Sequence, residues 1–119
     1  MERITTIPTS EAMKPMKQHK QLWIGLVGAD QREGVSFLGD AKGGYVNIVA
    51  SAAHAGEFEH KVKRALDELG LELIDIDDAE PLAQRLSRET ATREVSNMAN
   101  TVRKLDSVAF GTFYRYEND

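Results

Sequence analysis

The chain has no cysteine among its 119 residues. A disulfide scaffold, a thiol nucleophile and a thiolate-bound zinc or iron–sulfur centre are therefore excluded. No stretch of about 18 consecutive apolar residues occurs, so no segment reads as a membrane-spanning helix. Residues 1–21 lack the apolar stretch of a signal peptide, and Pro8 and Pro15 interrupt them. The expected location is the reducing cytoplasm, and no membrane partner is expected. Positive charge is also short: 15 basic residues against 19 acidic ones leave a net charge of −4, which argues against a nucleic-acid partner.

What is present fits one globular domain. A length of 119 residues is enough for one core and not for two. Residues 1–20 are rich in Ser, Thr, Pro and Lys and carry no helical or strand period, so they read as a mobile arm, and residues 21–119 read as one α+β domain. His19 lies in the arm without an evident role.

The hydrophobic pattern predicts strands over residues 22–27, 35–38, 45–53, 71–76 and 108–116. Phe58, Val62, Ala65, Leu66 and Leu69 fall on one helical face, and Gly70 stands where a glycine ends a helix. Strand, helix and strand over residues 45–76 suggest a βαβ crossover. Asp77 and Glu80 have capping-box spacing, and Pro81 suits a first helical turn. A short helix through Leu82 and Leu86 is followed by a longer one carrying Ala91, Val95, Met98, Ala99, Val102 and Leu105. The two stripes are out of phase, which predicts a break over residues 87–90. The expected fold is a two-layer α+β sandwich in the order β-β-β-α-β-α-α-β. It has a mainly antiparallel sheet of about five strands and helices packed on one face. Residues 117–119 are expected to fray.

Four features bear on chemistry. The glycine-rich turn over residues 39–44 is not a phosphate cradle, because Lys42 is followed by Gly43 and then by a strand rather than a helix. His54, Glu57 and His60 offer two imidazoles and a carboxylate, a ligand set for a metal, but no complete HExxH pattern accompanies them. Glu72, Asp75, Asp77, Asp78 and Glu80 form an acidic run at a strand end, where carboxylates suit a hard cation or serve as solvated caps. The aromatic residues are few, and Trp23, Tyr45, Phe113, Tyr114 and Tyr116 lie on predicted strands, where an open sheet face would make them an interface. Charge is also segregated. Nine acidic residues face three basic ones over residues 57–80, and five basic residues face two acidic ones over residues 81–105.

These features favour a small acidic, non-enzymatic interaction module that binds another protein or itself, as a homodimer, and uses no cofactor. It would act through an open sheet face or complementary charged patches, as inhibitors, immunity-like proteins and assembly subunits do. The competing expectation is a small metal-dependent enzyme or metal-binding protein using His54, Glu57 and His60, or the acidic run from Asp75 to Glu80.

Overall fold

Over the first half of the first strand, side chains alternate between two directions, and both directions are apolar. A computed structural model describes residues 20–116; residues 1–19 of the arm expected over 1–20, and the expected fraying end over residues 117–119, lie outside the described residues. The elements are β1 (Gln21–Gln31), β2 (Gly43–Ala52), α1 (Ala55–Glu68), β3 (Leu71–Pro81), α2 (Leu82–Leu86), α3 (Arg93–Leu105) and β4 (Ala109–Tyr116). They form an α+β fold with one open four-stranded sheet in the order β3-β1-β2-β4, with every neighbouring pair antiparallel. β2 and β3 are thus mutually parallel, and the expected βαβ crossover spans the intervening β1.

The helices lie on both faces of the sheet, which corrects the expected two-layer arrangement. On one face Val27, Ala29, Val46, Ile48, Ala50 and Ala52 pack against Phe58, Val62 and Leu66 of α1. On the opposite face Ile24, Val49 and Ala109 pack against Leu82 of α2 and against Met98, Ala99 and Val102 of α3. The register explains the split: Ile24 stands opposite Val49 and Trp23 opposite Ala50, so the two central strands offer an apolar row on each side. One helix cannot cover both rows.

The predicted strand over residues 35–38 is absent; residues 32–42 form a loop joining β1 to β2. Leu38 is buried as a plug in the α1-side core, and Phe37 meets Phe113 edge-on at 5.4 Å. The Gln31 side chain organises the loop. It accepts from the Leu38 N–H at 2.6 Å and donates to the Ala41 carbonyl at 2.6 Å, bonds that replace a strand ladder. Among the described residues the element order is therefore β-β-α-β-α-α-β, with four strands rather than five.

α1 begins at His54, whose Nδ1 accepts from the Glu57 N–H at 3.2 Å, and ends before Gly70, which has φ +77°. That left-handed conformation favours glycine. Val35 crowds the position where a Cβ would stand, so a side chain at residue 70 would also push the β1–β2 loop away. β3 runs on to Pro81, past the expected end at Ile76. Asp77 and Glu80 consequently lie within a strand and form no capping box, and α2 starts without a side-chain cap. The expected break lies between α2 and α3, where Thr92 Oγ1 caps the second helix by accepting from the Val95 N–H at 3.1 Å.

Glu80 ties α2 to β3. It accepts from Arg88 through both carboxylate oxygens at 2.8 Å, and from Arg85 Nε. The Arg88 and Arg85 guanidinium groups hold its carboxyl at about 2, below the usual 4.5. A lowered acid contributes stability that is present above pH 4.5 and is lost as pH falls toward 2. Acid unfolding followed by circular dichroism is expected to show a shallower loss in Glu80→Gln than in the wild type over that window. In the core, Phe58→Ala is expected to lower stability by about 3–5 kcal/mol in urea unfolding, because a fully buried ring is removed.

Candidate functional site: a half-covered sheet face

α2 and α3 cover only part of their face. Their apolar contacts are with Leu22, Ile24, Val49 and Ala109, at one end of the strands. Toward the other end the face is open and carries Leu26, Gly28 and Asp30 of β1, Tyr45 and Asn47 of β2, and Tyr114 and Tyr116 of β4. The register places these together: Gly28 opposite Tyr45, Leu26 opposite Asn47, Tyr45 opposite Tyr114. Tyr45 is 42% exposed and Tyr114 is 58% exposed, so two large rings face solvent side by side.

Two glycines shape this floor. A Cβ on Gly28 would stand 2.5 Å from Asp75 Oδ1 and 3.2 Å from the Tyr45 ring, so the missing side chain lets ring and carboxylate lie over the β1 backbone. A Cβ on Gly43 would stand 2.5 Å from the Tyr116 hydroxyl. That hydroxyl donates to Asp30 Oδ1, and it also lies 3.2 Å from the Ala29 carbonyl oxygen. The Tyr116 ring meets Tyr45 at 5.2 Å, tilted by 58°. Burial, and then the hydrogen bond to Asp30, push the Tyr116 hydroxyl above the usual tyrosine value of 10.0.

β3 adds carboxylates. Asp77 stands opposite Leu26, Asp75 opposite Gly28 and Glu72 opposite Asp30. A register shift beside Asp75 leaves Ile74 as an extra residue, 52% exposed, and lets Leu71 and Leu73 face the α1 side while Asp75 lies over Gly28. Among the described residues, none of Asp30, Glu72, Asp75 and Asp77 has an ion pair. Elsewhere Glu57, Asp67 and Glu80 each hold a Lys or Arg.

Five residues were expected at an interface, and the structure gathers three of them. Tyr45, Tyr114 and Tyr116 share the open face. Trp23 and Phe113 point the other way, into the α1-side core. Trp23 stacks on Phe58 at 6.2 Å and Phe113 on Phe110 at 5.9 Å. Strict alternation along β4 would place Phe110 on the side of Tyr114, but Gly111 and Thr112 both oppose Asn47, and this bulge inverts the phase between Phe110 and Phe113. Glu94 of α3 holds the bulge by accepting from the Thr112 N–H at 2.9 Å and from its hydroxyl at 2.6 Å. Gly28 and Asp30 lie beyond the predicted end of the first strand at residue 27. Continuing that strand to Gln31 would have placed Leu26, Gly28 and Asp30 on one side.

The expected metal ligands are not assembled. His54 serves as a helix cap, and Glu57 accepts from Lys20 Nζ at 2.7 Å and from the Ala53 N–H at 2.7 Å. Those partners, Lys20 first, hold the Glu57 carboxyl at about 2. His60 is exposed on α1. In the acidic run, Glu80 is taken by its two arginines, while Asp78 sits at φ 56° in a second β3 irregularity opposite Gly25. No cluster of three or more potential ligands occurs among the described residues. No helix of the described residues is long and apolar enough to cross a membrane.

Tyr116 gives a pH test of the face. A raised pKa contributes stability that is complete below the unfolded-state value, near 10.0, and is lost as pH rises through and above it. The wild type is expected to lose stability above pH 10, and Tyr116→Phe to lose less over the same range, read by thermal unfolding at stepped pH. Comparison with known proteins returns no match, whether against family models, curated proteins or solved structures.

Proposed function

We propose that the protein is a non-enzymatic interaction module that docks a cationic protein segment on the open half of its sheet. The observation that carries this reading is the meeting of Tyr45, Tyr114 and Tyr116 with four carboxylates that have no cationic partner among the described residues. Tyrosine rings offer wide, stiff contact area and a negative π-face for Arg or Lys. Unpaired carboxylates beside them attract the same groups and disfavour acidic partners. A folded sheet supports the rings from below, so little order has to be acquired on binding. The expectation of an acidic binding protein thus narrows to one surface and one sign of partner. The metal-dependent alternative has no assembled ligand set among the described residues to support it.

A hexa-arginine peptide titrated into labelled protein, at a concentration where the chain sediments as a monomer, is the direct probe. Saturable amide shifts are expected at residues 26–30, 45–47, 75–77 and 112–116, weakening as salt is raised. Tyr45→Ala and Tyr114→Ala are each expected to weaken binding about tenfold, as exposed rings at the centre of an interface do. Shifts confined to the acidic face of α1 around Glu59 and Glu68, or no saturation, would refute the proposal.

A further inference from the structure

The uncovered half of the sheet is a recess, walled on one side by α3, where Glu94 reaches Thr112 and Met98 lies against Gly111. Its floor is about 17 Å long, five residues of β1 from Leu26 to Asp30 at about 3.3 Å each, and about 14 Å across four strands. α3 has 13 residues and is therefore about 20 Å long, standing about one helix diameter above the same face. Helix and recess lie on one face, toward opposite ends of the strands.

Their charges are opposite. The exposed residues of α3 include Arg93, Asn97, Asn100, Thr101, Arg103 and Lys104. Arg93 and Lys104 have no ion pair among the described residues, Arg103 bonds only Asn100 at 3.2 Å, and the helix's one carboxylate, Glu94, is spent on Thr112. The recess floor holds Asp30, Glu72, Asp75 and Asp77 by register, likewise without ion pairs.

We infer that the cationic segment is α3 of a second copy of this chain. A two-fold axis along the step between helix and recess brings the two faces together, with each α3 entering the other copy's recess. The contact is isologous, so one arrangement satisfies both recesses at once and closes as a dimer. It produces a sheet–helix–sheet sandwich in which Arg93, Arg103 and Lys104 of each copy meet the tyrosines and carboxylates of the other. The inference rests on the open face being a docking surface for cations, and it adds the identity of the partner.

Sedimentation equilibrium on the full chain tests it. The wild type is expected at twice the monomer mass, falling toward the monomer as salt rises. Asp75→Lys with Asp77→Lys, and separately Arg103→Glu with Lys104→Glu, are each expected to weaken self-association at least about tenfold. An equimolar mixture of the two variants restores the dimer, because each recess then meets a helix of opposite sign; this rescue also shows that both variants fold. A wild type that stays monomeric, variants that stay dimeric, or a mixture that stays monomeric overturns the inference. Hexa-arginine shifts at Tyr45 and Tyr114 in a monomeric wild type would leave the proposed cation-docking face standing and point to a basic helix of another protein. Their absence from a monomer would remove both.

Discussion

Everything in this fold depends on the pairing of β1 with β2 as central strands buried from both sides. From Gln21 opposite Ala52 to Asp30 opposite Gly43, the two strands run in continuous register. Over half that length they present apolar rows in both directions. Ile24 with Val49 demands cover on one face, and Val27 with Val46 demands it on the other. Apolar area left in water costs about 25 cal/mol per Å², so the chain must supply helices on both sides. α1 does this from the connection between β2 and β3; α2 and α3 do it from the connection between β3 and β4.

The cover on the second face stops where the apolar row stops. Beyond Ile24 and Val49, the same face continues as Leu26, Gly28 and Asp30 beside Tyr45 and Asn47, and no helix is required there. The open face is therefore the remainder left by the core rather than a separate feature. Its rings are held by the backbone beneath them, because Gly28 and Gly43 admit Tyr45, Asp75 and the Tyr116 hydroxyl to close range. The proposed docking role and the proposed two-fold dimer both follow from this uneven covering, which sets a basic helix and an acidic aromatic floor next to each other.

The helices and four of the strands were legible because their periods are long and regular. α1 carries Phe58, Val62 and Leu66 at helical spacing, and α3 carries Met98, Ala99 and Val102. Residues 35–38 misled because a short apolar run has the same composition as a strand; Phe37 and Leu38 instead plug and cover the core one at a time. The open sheet face was half legible. Tyr45, Tyr114 and Tyr116 were found by their chemistry, and Tyr45 and Tyr114 pair across one register. Trp23 was misplaced because a side-chain period of two does not say which face a helix covers. Phe113 was misplaced for the same reason: it alternates with Tyr114 and Tyr116, and its face is the one that α1 covers. The histidine pair matched a ligand composition, yet spacing along a chain does not place His54, Glu57 and His60 around a point, and capping claims His54.

By itself, the sequence determined the class of the protein. Cysteine chemistry is absent, the amphipathic helices are specified by their stripes, Gly70 ends α1, and acidic and basic residues are separated along the chain. Only the tertiary structure decided which faces those residues share. Strand order, the register shifts in β3 and β4, and the choice of sheet face for each helix are long-range outcomes. They arise because each apolar row must find cover from whichever segment the connections bring to it. That requirement gathered three tyrosines and four carboxylates onto one uncovered half-face, beside a helix of opposite charge.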